Sequence, residues 1–147
     1  MKRLRKFFQL PRNDQTLLLK ALLLLWMLKI GLFLLPYRFY SSCLKRWTVT
    51  RPGGGDIDRS FLDRVAWAVT AASRYVLGKH HCLIQAYAVQ ILLARRGFPS
   101  QLCLGVRKDD TAGLKAHAWV ESDGIRVIGG SDVEQYSILT SAKGKKS

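Results

Sequence analysis

Residues 82–109 read CLIQAYAVQILLARRGFPSQLCLGVRKD, and inside that stretch the hydrophobic period changes from helical to alternating. From Cys82 the apolar residues Ala86, Val89, Leu92 and Leu93 recur at helix spacing. Arg95, Arg96 and Gly97 then close the run with basic residues and a C′ glycine, and Pro99 reinforces the stop. Beyond it, Leu102, Leu104 and Val106 alternate with Gln101, Cys103 and Arg107, the pattern of a strand with one buried face. A turn-rich link over 108–113 follows, then a second strand over 116–121. Ser122-Asp123-Gly124 reads as a hairpin turn and 125–128 as a third strand.

Upstream, Ser60 and Asp63 form a capping-box-like start. Phe61, Leu62, Val65, Ala66, Val69, Ala72 and Val76 then follow helical spacing, predicting a helix from about residue 60 to Val76 that ends near Gly78. Before it, RPGGGDID (51–58) is a loop, because each glycine costs a helix about 1 kcal/mol relative to alanine. The order helix, helix, strand, strand, strand predicts an α+β domain with helices packed on a small antiparallel sheet. The expected organisation is a basic, leucine-rich helical segment over 1–50, a Gly-rich linker over 51–59, a domain over 60–140 and a basic tail over 141–147.

Residues 17–35, LLLKALLLLWMLKIGLFLL, come close to the ~20 apolar residues that a bilayer crossing needs. Lys20 and Lys29 interrupt them, each costing about 2.5 to 3.5 kcal/mol near a bilayer centre unless it snorkels. Three readings stay open: packing on the domain, contact with a membrane surface or a partner, and a membrane span. Asp14 is the expected N-cap and Pro36 the terminator. The basic start does not make a signal peptide, since no small-residue cleavage site follows the run.

The formal net charge of +14 favours an acidic partner, be it anionic lipid, nucleic acid or acidic peptide. Nucleic acid is disfavoured by the lack of an aromatic RNA-binding signature, a zinc finger or a phosphate-cradling loop. Cys43, Cys82 and Cys103 are too few and too irregular for a disulfide framework, and no CxxC pair indicates a metal. A cytoplasmic, reducing setting is expected, with membrane association through 17–35 left open; no cofactor is expected.

Cys82 falls at the N-terminus of its helix, where unpaired amides and the helix dipole favour a thiolate. A buried structural thiol is the plain alternative. In AHAWVE (116–121), His117 shares a strand face with Trp119 and Glu121, so its imidazole can be presented to the start of a packed helix. That makes His117 a candidate general base for Cys82. His80 and His81 adjoin Cys82 without a ligand cluster around them. Cys103 reads as structural and Trp119 as packing. Cys43 carries no chemical hint. Gln85 lies one turn beyond Cys82, in reach of substrate or on the helix surface.

Taken together, Cys82-Leu83 with Ala86, Arg95-Arg96-Gly97, Gly105-Val106 with Lys108, and His117 to Glu121 resemble the leader peptidase of lasso-peptide biosynthesis. The resemblance runs over about 60–130 and implies a transglutaminase/papain-like cysteine protease fold. It also implies an enzyme that removes the leader from a ribosomally made precursor peptide, whose freed end a macrolactam synthetase then closes. Cys82 would attack the scissile carbonyl, His117 would shuttle the proton and an acid would orient His117. The backbone N–H of Cys82 is the natural oxyanion donor. Here the sequence departs from the family: counting places Gly129 where the acid is expected, and Asp132 is the nearest substitute. Asp123 belongs to the hairpin turn, and Glu121 points the same way as His117. Either Asp132 swings in, or a backbone carbonyl or a water orients the imidazole, or the enzyme is weakened. No leader-recognition module is read ahead of the catalytic region, so a separate recognition protein is expected. An acyl transferase of the same fold and a non-catalytic membrane-associated scaffold are the rival readings.

Overall fold

The computed structural model describes residues 9–50, 52, 55–56, 58–76, 81–111, 113–130 and 132–143. Among them run helices α1 (Arg12–Leu34), α2 (Tyr37–Trp47), α3 (Arg59–Val76) and α4 (Cys82–Arg95). Strands β1 (Gln101–Asp109), β2 (Gly113–Ser122) and β3 (Ile125–Ile128) follow, then a short 3-10 helix (Asp132–Gln135) and β4 (Ser137–Lys143). The sheet is antiparallel, in the order β3-β2-β1-β4. A fourth strand was not expected. Its sequence, SILTSAK, lacks clean alternation, and its partner β1 decides its place.

The register pairs Leu102 with Val120, Cys103 with Trp119, Leu104 with Ala118 and Gly105 with His117. Because side chains alternate across a sheet, these pairs sort onto two faces. Leu102, Val120 and Ala118 join the helical core. Cys103 and Trp119 are buried on the other face, under Val133 and Tyr136 from the 3-10 segment. The expectation of a single buried face is therefore corrected: the chain after the hairpin folds back over the second one. Trp119 is 2% exposed, and covering a side chain that large stabilises by roughly 1.5–3 kcal/mol. Asp123 and Gly124 both have positive φ (49° and 75°), the signature of a tight hairpin turn.

On the helical side, α4 lies against β1 and β2, α3 packs beside it, and α1 covers α3 and α4 from outside. The start of α3 differs from expectation. Asp58, not Ser60, caps it, its Oδ1 accepting the Ser60 N–H at 3.0 Å. Likewise Asp14 does not cap α1, which begins at Arg12 after Pro11. Asp14 lies in the first turn and pairs with Arg64 of α3 at 2.5 Å. Pro36 separates α1 from α2: it has no N–H to continue the ladder, and its ring keeps Leu35 extended, at φ −101° and ψ 138°. The central glycines of the linker and residues 77–80, Gly78 and His80 included, lie outside the described residues. So do residues 144–147 of the expected basic tail, whereas 141–143 belong to β4.

One face of α1, formed by Leu17, Ala21, Leu24, Leu25 and Leu28, is buried against the domain. Lys29 has a use there: its Nζ donates to the Val76 carbonyl at 2.7 Å, satisfying an orphan acceptor at the C-terminus of α3. Tyr40 of α2 is buried and donates its hydroxyl to the Leu28 carbonyl. Burial, and secondarily Tyr87, push the Tyr40 hydroxyl up from 10.0 to about 12. A folded-state value above the unfolded one means the contribution is complete below pH 10 and is lost as pH rises towards 12. Chemical denaturation across that window is expected to show a loss of about 2 to 3 kcal/mol that Tyr40→Phe removes. An equal loss in Tyr40→Phe would refute the assignment.

Candidate active site

Cys82 is the first residue of α4 and is half-buried, packed at the margin of the helical core. The His81 carbonyl accepts the Gln85 N–H at 3.1 Å, so the helix closes its first turn on His81. The amides of Cys82, Leu83 and Ile84 then have no partner within the helix and form a donor cluster beside the thiol. The link over 96–100 is short, so β1 runs back along α4, and β2, antiparallel to β1, runs with it. Cys82 and the first half of β2 therefore lie at the same end of the domain.

His117 sits where burial begins along β2: residues 113–116 are exposed and 118–120 are buried. Its Nε2–H donates to the Gly129 carbonyl at 2.6 Å. A carbonyl can only accept, so this bond fixes the tautomer and leaves Nδ1 as the basic nitrogen. Its ring lies 5.3 Å from that of Tyr136 and 6.5 Å from that of Trp119, on the face of the sheet covered by the 3-10 segment. No hydrogen bond joins His117 to Cys82. The expectation that the imidazole faces the start of α4 is not met in this structure, because the strand register turns it towards Tyr136.

Gly129 stands where an acid was sought, and its conformation shows why none fits. With φ at 132° it occupies a region that favours glycine, and a Cβ there would lie 2.3 Å from Trp119 Cβ. The position supplies a carbonyl in place of a carboxylate. Asp132 makes no bond to His117; its Oδ2 is 4.0 Å from Arg107 Nη1, and its side chain is about half exposed. Arg107 also bonds Gln135 Oε1 and lies over the Tyr136 ring at 5.2 Å. Tyr136 thus stands between Arg107 and His117. Sequence reasoning missed it, since nothing in its neighbourhood marks a strand or a motif.

The remaining candidates resolve as follows. Gln85 donates to Ser73 Oγ at 2.8 Å, tying α4 to α3. Glu121 accepts the Trp119 indole N–H at 2.9 Å. Cys103 is buried, as expected of a structural thiol, and Cys43 is exposed. Among the described residues, clefts open on the surface away from both Cys82 and His117. One, of about 560 Å³, is lined by Arg107, Lys108, Asp109 and Gln135, and another, of about 750 Å³, lies between α1 and the α3–α4 pair.

The described residues thus place a half-buried cysteine at a helix start, over a small antiparallel sheet that carries a histidine on its other face. A model of the transglutaminase-like superfamily matches residues 24–141, and the chain belongs to that superfamily. Its members include cysteine proteases and acyltransferases. No curated protein and no solved structure matches the chain.

Proposed function

We propose that the chain is a cysteine peptidase that removes the leader from a ribosomally synthesised precursor peptide during lasso-peptide maturation. One observation carries most of the reading: the thiol lies beside amides that have no partner within their helix, at the same end of the sheet as an imidazole with its Nε2 proton committed to a carbonyl. The four ordered motifs between Cys82 and Glu121 supply the substrate class.

In this mechanism the Cys82 sulfur attacks the scissile carbonyl carbon, and the oxyanion is received by the amides at the start of α4. His117 takes the thiol proton at Nδ1 and gives it to the departing amine as the C–N bond breaks, leaving a thioester. Water, deprotonated by the same nitrogen, then cleaves the thioester to a carboxylate and restores the thiol. Gly129 acts as the positioning residue for His117; Asp132 has no part in orienting it. The mechanism requires His117 Nδ1 and Cys82 Sγ to meet at about 3 Å in the substrate complex; because His117 stands on the face of the sheet turned away from α4, it also requires β2 or the start of α4 to rearrange on binding. A separate leader-recognition protein presents the substrate, and a macrolactam synthetase takes the product.

Mass spectrometry of a candidate precursor, incubated with this chain and the recognition protein, tests the reading. A single cut yielding a free carboxylate is the expected result. An amide formed with an added amine would move the assignment to acyl transfer. An intact precursor, despite demonstrated leader binding by the recognition protein, would overturn it.

A further inference from the structure

The helix α1 is apolar on both sides, yet only one side is covered. Leu19, Leu23, Trp26, Met27, Ile30, Phe33 and Leu34 are all exposed, Phe33 at 89% and Leu34 at 70%. At about 100° per residue these positions fall within an arc of roughly 120°, opposite the buried set centred on Leu28; Leu32, also exposed, projects onto the buried side but lies past Leu28, the last buried residue of the helix. On the same projection Lys20 and Lys29 border the arc, one on each side. The exposed surface continues through Leu35 and, past Pro36, to Phe39. A monomeric soluble protein rarely leaves so long an apolar strip open to water.

Charge decides what covers it. Among the described residues between Asp14 and Asp56 the chain carries Lys20, Lys29, Arg38, Lys45 and Arg46 and no carboxylate. An apolar strip with a rim of one sign matches the boundary between acyl chains and anionic headgroups, where apolar residues sink and lysines and arginines remain with the phosphates. Trp26 on the strip is the residue type that settles at that depth. Packing argues against a membrane span, although the helix has the length and an 18-residue window of mean hydropathy 2.2. Leu25 and Leu28 are at most 1% exposed against the domain, Asp14 pairs with Arg64, and Lys29 holds the end of α3. Spanning would break all of these contacts at once.

We propose that α1, with the start of α2, lies flat on an anionic membrane surface and holds the domain there. This goes beyond the peptidase reading and does not depend on it. Flotation of the full chain with vesicles tests the proposal. Expected is binding to phosphatidylcholine vesicles containing phosphatidylglycerol, far weaker binding to phosphatidylcholine alone, and a blue shift of tryptophan emission on binding. Phe33→Ser with Leu34→Ser, both highly exposed and outside the core, should weaken binding at least about tenfold with an unchanged thermal midpoint. Lys45→Glu with Arg46→Glu should weaken it for the anionic vesicles. Absence of binding to the anionic vesicles would overturn the proposal, as would binding indifferent to the Phe33 and Leu34 changes. So would a soluble dimer that the Phe33 and Leu34 changes dissociate, since a second copy would then be what covers the strip.

Discussion

Cys82→Ala is expected to abolish precursor cleavage while leaving the protein folded. The sulfur is the only group proposed to bond the substrate carbonyl, so its removal deletes the thioester route itself. Cys82 lies at the margin of the core, and among the described residues no hydrogen bond to its sulfur holds the fold. Its loss should therefore cost stability no more than about 1 to 2 kcal/mol. His117→Ala should retain thioester formation at a rate lower by about 10²–10⁴, the usual contribution of a positioned acid–base group. Thiol labelling gives an independent reading: Cys43 and Cys82 should react with iodoacetamide, and buried Cys103 should not. Prior labelling of Cys82 in a Cys43→Ser background should block turnover. Cleavage surviving Cys82→Ala would remove Cys82 as nucleophile and with it the mechanism.

Gly129→Ala has the largest expected effect on the fold from the smallest change. One methyl group would stand 2.3 Å from Trp119 Cβ and 3.2 Å from its Cα, at a φ of 132° that alanine rarely adopts. Backbone strain of about 1–3 kcal/mol adds to overpacking of similar size. Together they should lower the thermal midpoint by on the order of 10 °C. Gly124→Ala is the matched control. It also has positive φ but meets nothing within 4 Å, so it should lose only the conformational part. If the protein still folds, the Gly129 change should also shift its carbonyl from His117, and the nitrogen-15 resonances of the imidazole would lose the fixed Nε2–H tautomer. Equal effects of the two substitutions would show that Trp119 does not confine Gly129.

Gly105→Ala should behave like Gly129→Ala in kind, since its Cβ would lie 2.9 Å from the Trp119 ring and from Tyr136 Cβ. Trp119 is the shared neighbour. It fills the second face of the sheet so closely that two glycines are needed around it, one under its ring and one against its Cβ. The His117 site is built on this same packing, through Tyr136 and Gly129. Stability and the placing of the imidazole are for that reason coupled in this protein.

What the sequence determined by itself is local. Helical spacing from Phe61 to Val76 and from Cys82 to Leu93 placed α3 and α4, because a buried face repeats every three or four residues whatever it packs against. Alternation placed β1 and β2, and Asp123-Gly124 placed the turn, since few residues other than those tolerate positive φ. The helix-start position of Cys82 and the strand position of His117 follow from the same signals.

What the tertiary structure alone decided concerns partners distant in the chain. The return of 132–143 over β1, and hence the second core around Trp119, depends on pairing that leaves no period in SILTSAK. The carbonyl of Gly129 carries no side-chain signal, so no motif could announce it as the partner of His117; Asp132, chosen for its charge, turned instead to Arg107. Lys29 looked misplaced in an apolar run until the Val76 carbonyl stood beside it. Both sides of α1 are apolar, and only the packing of α3 and α4 fixes which one is buried. Short-range periodicity reports what a residue needs covered; which group covers it is set by the long-range fold.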